Sequence, residues 1–281
     1  MGKILITSDM IESFCVYLKS EEKSSNTMSK YLRDTKAFAK FIDGREVSKE
    51  LVIEYKEILL AKGYATNSIN SMIASINSFM KFIGLENFKI KSIKQQKAIF
   101  RSEEKELTKN EYNRLICAAE SKGNERLNLI IQTICGTGIR VSELQFITIE
   151  SVKKGEAVVS CKGKRRRIFI VKALQKKLLK YAAKKNIKSG CIFITRTGRP
   201  VNRTNIWRDM KKLCKSANVN PNKVFPHNLR HLFARVFYGI EKDIAKLSDI
   251  LGHSNINTTR IYIMSTSSEH RRCMENMHLI I

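Results

Sequence analysis

Apolar side chains recur every three or four residues through the first eighty-odd positions, and each run of them stops at a glycine or a polar stretch. That is the helical period, so this part of the chain is constrained to fold as short helices that each bury one face. Ile11, Phe14, Cys15 and Leu18 make the first stripe, before the polar stretch 21–26. Tyr31, Leu32, Thr35, Phe38, Ala39 and Ile42 make the second, with Asn26 or Thr27 as the expected cap and Gly44 as the stop. A third helix is expected over 49–62, ending at Gly63. A fourth, capped by Asn67 or Ser68, carries Ile69, Met72, Ile73, Ile76, Phe79, Met80 and Ile83 before Gly84. Together they predict a four-helix unit.

The period fails over 88–106, a stretch rich in Lys and Gln. It reads as an extended basic linker able to lie along a phosphate backbone, with Lys94 and Lys97 as its contacts. Thr108 and Glu111 then form a capping box that opens a second unit. The expected division is a helical domain over 1–88, a linker over 89–106 and a second domain over 107–281. Within the second domain the pattern is helical to 148 and changes to short β-type runs at 157–160 and 168–171, around a tight basic turn. A basic amphipathic helix follows over 172–186, then a short apolar run at 191–195, a turn at Gly198, and helices again. The fold class expected is mainly α with a small β-sheet, the second domain being α+β.

Charge narrows the partner. Fifty-two Lys and Arg face 26 Asp and Glu, a formal net charge of +26. Residues 1–100 hold 16 basic and 11 acidic side chains, whereas 101–281 hold 36 and 15. Over 151–220 there are 21 basic residues against only Glu156 and Asp209. Such an excess repels itself in the free protein and calls for a polyanion. A plain basic surface or a ribosome-associated protein would also explain it, and composition does not separate DNA from RNA. The seven cysteines are odd in number and lack any Cys-x-x-Cys pair, which argues against a disulfide framework or a zinc site. No uncharged apolar stretch is long enough to span a bilayer and no leader pattern opens the chain, so a cytoplasmic protein with no membrane partner is expected.

Three of the five histidines fall in two dense clusters, Pro226-His227-Asn228-Leu229-Arg230-His231 and Leu251-Gly252-His253, the latter followed by Tyr262. Upstream lie Thr137-Gly138-Ile139-Arg140-Val141-Ser142-Glu143-Leu144 and the turn Cys161-Lys162-Gly163-Lys164. Here the chain resembles the tyrosine recombinases and integrases, the small Xer-type members in particular. Their signature is an Arg in Thr-Gly-x-Arg-x-x-Glu-Leu, a hairpin Lys, a His-x-x-Arg-His box, a Leu-Gly-His, and a Tyr soon after. The matching positions are Arg140, Lys162, His227, Arg230, His253 and Tyr262, in that order. Ser25-Asn26-Thr27 with Tyr31 and Phe38 likewise resembles the start of the family's core-binding domain. The resemblance covers essentially the whole chain. Two departures, Leu232 where a small hydroxyl residue is usual and Ile263 after the tyrosine, touch no catalytic position.

The chemistry the resemblance implies suits these residue types. Breaking a phosphodiester needs a nucleophile brought to an anionic centre and extra charge held on the non-bridging oxygens. Arg140 and Arg230 would supply a planar, permanently charged clamp, and His253 a further donor. On a helix the i,i+3 spacing puts His227 and Arg230 on one face. Tyr262 would attack to give a 3′-phosphotyrosine, with His227 as general base and Lys162 protonating the departing 5′ oxygen. Lys162 follows the first strand and directly precedes Gly163; Lys164 is its rival. Glu143 would buttress a catalytic side chain. Lys164, Arg165, Arg166 and Arg167 would contact DNA. No metal and no cofactor is expected.

The resemblance further implies a core-binding domain and a catalytic domain closing as a C-shaped clamp on duplex DNA. It implies strand exchange through a Holliday junction by a homotetramer, or a heterotetramer with a related recombinase. The apolar tail Met277, Leu279, Ile280 and Ile281 would dock on a neighbouring copy, or back on its own domain. The chain opens almost directly on the core-binding segment, so an arm-site-binding domain is expected to be absent. The rivals are a type IB topoisomerase-like strand transferase and a non-catalytic DNA-binding protein. DNA integration and transposition are both within what such a chain does.

Overall fold

The computed structural model describes residues 4–94, 103–161, 164–264, 271–272 and 274–277. The chain divides into two compact units, Met1–Lys97 and Ala98–Ile281.

The first unit is the four expected helices, α1 (Ser8–Ser20), α2 (Ser25–Ile42), α3 (Lys49–Ala61) and α4 (Thr66–Phe82). Their stripes meet in one core, with Phe14, Phe38, Ile69 and Phe79 fully buried and the rings of Phe14 and Phe79 edge to face at 5.2 Å. Two helix starts differ from expectation. Ser24, not Asn26 or Thr27, caps α2 by accepting the Thr27 amide. α4 begins behind Ala65 with no side-chain cap, which leaves no signal to read. Buried Asp34 pins α2 to α4, taking Lys30 Nζ at 2.5 Å and Ser75 Oγ at 2.9 Å.

Two asparagines on α4 hold the segment that follows it. Asn77 accepts the Ile90 amide at 3.0 Å and donates to the Ile90 carbonyl at 2.9 Å. Asn70, two turns earlier, does the same for Ile93 at 2.8 and 3.0 Å. Each side-chain amide thus stands in for a neighbouring strand, and residues 90–93 are tied to the first unit.

In the second unit, α5 (Lys109–Ser121) opens with the expected capping box between Thr108 and Glu111. α6 (Glu125–Thr137) runs through the core, burying Asn128, Thr133 and Thr137 along with its leucines and isoleucines, and packs against α5, α8 (Lys172–Lys184), α9 (Arg203–Ala217) and α10 (Pro226–Glu241). After α7 (Ile149–Lys154) come β1 (Glu156–Cys161) and β2 (Lys164–Phe169), an antiparallel pair with Ala157 opposite Ile168 and Val159 opposite Arg166. Ala157, Val159, Ile168 and Ile170 are buried; Val158, Arg165, Arg167 and Phe169 are exposed. This period-two alternation puts Arg166 on the inner side. Two short helices follow, α11 (Ile244–Leu251) and α12 (Ile256–Tyr262). The class is mainly α with a small sheet.

Candidate active site

α6 stops at Gly138, whose φ of +65° is the left-handed conformation; a Cβ there would meet the Phe233 ring at 2.5 Å. The chain turns and Arg140 heads a 3₁₀ turn, Val141–Phe146. Glu143, one turn on and 2% exposed, folds back: it accepts the Arg140 amide at 2.9 Å and Arg140 Nη1 at 3.0 Å. From the opposite side it takes the Arg166 fork, Nη1 at 3.1 Å and Nη2 at 2.6 Å. One buried carboxylate therefore holds two guanidiniums.

The end of α11 holds a third. The last carbonyls of a helix lack intrahelical partners and carry the negative end of its dipole. Here three consecutive ones each accept from a different arginine: Ile250 from Arg166 Nε at 3.3 Å, Leu251 from Arg230 Nη2 at 2.6 Å, Gly252 from Arg140 Nη2 at 3.3 Å. Cations that would repel one another are thus gathered on one helix terminus. Gly252 is glycine for two reasons, a φ of +64° and an Arg166 Cδ that stands 2.4 Å from where a Cβ would lie.

Arg230 is 1% exposed and also donates to the Gly138 carbonyl. Burial, then Arg140, brings its guanidinium down to about 10, so it stays cationic at neutral pH. Its buried Nε–H has no partner among the described residues, leaving one donor open. Its Nη2 also lies 3.0 Å from His253 Nε2. Guanidinium only donates, so Nε2 accepts and the ring proton sits on Nδ1, 2.8 Å from Thr259 Oγ1. His253, read from the sequence as a donor, is in this state an acceptor.

Burial, followed by the positive charge of Arg230 and Arg140, pushes His253 down to about 4. The unfolded chain protonates this ring near its usual value of about 6.5, while the folded one does not until about 4. Between those values the unfolded state binds more protons, so stability rises with pH and levels off above the upper one. The urea midpoint is expected to climb from pH 4 to 6.5 and to climb less steeply in His253→Gln. Equal slopes in the two proteins would contradict the assignment.

α12 brings in Tyr262, whose ring is 5% exposed and packs with Ala234, Leu247 and Leu251. It stacks on His231 at 3.9 Å between centroids, with 10° between the planes. Its hydroxyl lies 3.4 Å from Nε2 of His227, which stands at the exposed start of α10. Arg140, His227 and Arg230 also line one cavity of about 370 Å³, together with Ser142, Arg203 and Trp207.

Five of the six motif positions, and Glu143, therefore lie together; Lys162 lies outside the described residues. Arg165 and Arg167 are exposed on the hairpin and Lys94 is exposed in the first unit. Lys97 and the side chain of Lys164 lie outside the described residues, as do 265–270, 273 and 278–281 of the tail. Arg166, grouped from the sequence with the DNA contacts, is turned inward by strand parity onto Glu143. His231, Thr259, Arg203 and Trp207 drew no functional reading from the sequence. Among the described residues no three His, Cys, Asp or Glu side chains are gathered as a metal ion would need, and no helix is long and apolar enough to cross a membrane.

Residues 105–269 match the phage integrase family and 11–87 match the phage integrase N-terminal SAM-like domain. The chain belongs to the phage integrase family. Within it, this is an enzyme of the tyrosine recombinase type. It is 31% identical to tyrosine recombinase XerA of Pyrococcus horikoshii, over 98% of this chain and 96% of that one. It is 28% identical to tyrosine recombinase XerD of Halalkalibacterium halodurans, over 95% and 97%. A crystal structure of XerA recombinase aligns over 98% of this chain and 100% of that one, with a TM-score of 0.55 and 25% identity. A lambda integrase dimer bound to a COC′ core site shares the fold at a TM-score of 0.73, with 17% identity, over 92% and 95%.

Proposed function

We propose that this phage integrase family member cuts and rejoins duplex DNA at a specific site through a 3′-phosphotyrosine on Tyr262. What carries the reading is a tyrosine hydroxyl 3.4 Å from His227, beside a cavity walled by Arg140 and Arg230.

In the proposed reaction, Tyr262 Oη attacks the phosphorus and its proton passes to His227. The bond to the 5′ oxygen breaks, and Lys162 protonates that oxygen as it leaves. Arg140 and Arg230 hold the charge that grows on the non-bridging oxygens, each such donor being worth roughly 10²–10³ in rate. A phosphate oxygen would give the open Arg230 Nε–H a partner. The phosphotyrosine keeps the bond energy, so a 5′ hydroxyl from a partner strand can reverse the step without metal or high-energy cofactor.

Exchange between duplexes needs four such sites around a Holliday junction, hence a tetramer of this chain or of this chain with a related recombinase. The exposed Val236 and Ile240 of α10 support docking of a neighbour's apolar tail. The two units would close on duplex DNA as a clamp, the phosphates met by Arg165, Arg167, Lys164, Lys94 and Lys97. The cytoplasm, where such DNA lies, is the proposed place of action.

The test is a plasmid carrying two copies of a candidate site from DNA flanking the gene, incubated with the protein in EDTA. Exchange of the flanking sequences is expected. Relaxation without exchange would favour a topoisomerase-like strand transferase, and a requirement for Mg²⁺ would overturn the metal-free step.

A further inference from the structure

Three consecutive arginines on β2 do two different things. Arg165 and Arg167 face solvent, while the middle one is 11% exposed at its side chain and directs its whole fork at Glu143. We propose that Arg166 is a positioning residue of the reaction and not a DNA contact: it locks Glu143, and through it Arg140, to the hairpin and to the carbonyl end of α11. The proposal rests on the reading of Arg140 as a phosphate-binding residue.

Three observations carry it. First, each nitrogen of the guanidinium already donates inside the protein, Nη1 and Nη2 to Glu143 and Nε to the Ile250 carbonyl, so the fork is aimed at the carboxylate and away from the solvent face that Arg165 and Arg167 share. Second, Arg140 is about one-third exposed, and among the described residues its side chain is held by the same Glu143 carboxylate and by the Gly252 carbonyl. Its aim therefore depends on how firmly that carboxylate is held from behind. A planar fork on both carboxylate oxygens fixes position and angle together, which the point charge of a lysine does not. Third, the Cα of Gly252 lies against the Arg166 stem so closely that no side chain would fit there. The peptide that leads into His253 is thus built around this arginine.

The consequence is a shared register. In the sequence Lys162 falls between β1 and β2, while Arg140 stands in the turn after α6 and His253 just beyond α11. Arg166 is bonded to elements of all three, so a shift of the hairpin disturbs Glu143 and with it the clamp. Misplacing a reacting group by about 1 Å costs roughly 10²-fold in rate, so a residue that never touches DNA is expected to matter that much.

The experiment uses the full-length protein and a nicked duplex from which the cleaved strand end is lost. Two quantities are read for wild type, Arg166→Lys, Arg166→Gln and Arg165→Gln: the first-order rate of adduct formation at saturating protein, and affinity as a function of salt. Arg166→Lys and Arg166→Gln are expected to keep the affinity and the salt slope of wild type while the rate falls roughly 10²-fold. Arg165→Gln is expected to reduce the salt slope by about one phosphate contact. Arg166→Gln takes the fork from a buried carboxylate, leaving it Arg140 alone as a cationic partner among the described residues, and so loses stability; Glu143→Gln with Arg166→Gln removes both charges and keeps the test open. Because the pair acts as a unit, the double variant should be no slower than the slower single one.

Lower affinity and a flatter salt slope in Arg166→Lys, with the wild-type rate at saturation, would overturn the proposal. So would losses from Glu143→Gln and Arg166→Gln that multiply. A wild-type protein that binds but forms no adduct would defeat the functional reading instead, and the salt slopes would still decide whether Arg166 meets a phosphate.

Discussion

Tyr262→Phe is expected to abolish the covalent adduct, a loss above about 10⁴-fold, with DNA affinity unchanged. The substitution removes one oxygen atom and little else. The ring keeps its stack on His231 and its packing with Ala234, Leu247 and Leu251. The hydroxyl's contact with His227 and its interaction with Arg230 are lost, at a cost to stability of about 1 kcal/mol. A denaturing gel for the adduct and a gel shift for binding separate the two effects. An adduct that survives in Tyr262→Phe would move the nucleophile elsewhere.

Arg230→Lys is expected to lower the adduct-forming rate roughly 10²–10³-fold and to destabilise the second unit as well. Arg230 reaches the Gly138 and Leu251 carbonyls and His253 at once from a 1% exposed position. A lysine ammonium cannot span that fork, and each acceptor left without a donor costs about 1–3 kcal/mol. Arg140→Lys should match the loss in rate but leave the thermal midpoint nearly in place, since its side chain is 35% exposed. Single-turnover cleavage and thermal melts on the same preparations check both. Equal destabilisation by the two substitutions would contradict the burial argument.

What the sequence made legible was whatever lies in one element or in side-chain type. The stripes of α1 to α4 predict the first unit because each helix writes its buried face at its own period. The motif residues were found because their order and spacing resemble the tyrosine recombinase signature; taken one at a time, Arg140, His253 and Tyr262 look ordinary. Groups that act through the main chain left almost no trace. The carbonyls of Ile250, Leu251 and Gly252, which gather the arginines, are invisible in a sequence apart from the glycine that ends α11. Residues 90–93 read as linker because their partners, Asn70 and Asn77, look like ordinary polar positions on α4.

The inward turn of Arg166 onto Glu143 is a different case. The run from Lys164 to Arg167 reads as one basic surface, yet Arg166 shares its strand parity with Ile168 and Ile170. That alternation was available from the sequence and outranks the charge run, because a strand cannot present consecutive side chains to the same side. His231 was passed over for lack of a role, although it stands one helical turn beyond His227 and so on the same face.

The most direct test of the account is chemical mapping of the adduct. Wild-type protein is trapped on a nicked duplex, digested with protease and nuclease, and the modified peptide is sequenced by mass spectrometry. The account predicts a nucleotide joined through its 3′ phosphate to Tyr262, and a released strand whose 5′ end is a free hydroxyl that polynucleotide kinase labels without prior phosphatase. A nucleotide on another residue, or one joined through its 5′ phosphate, would contradict it.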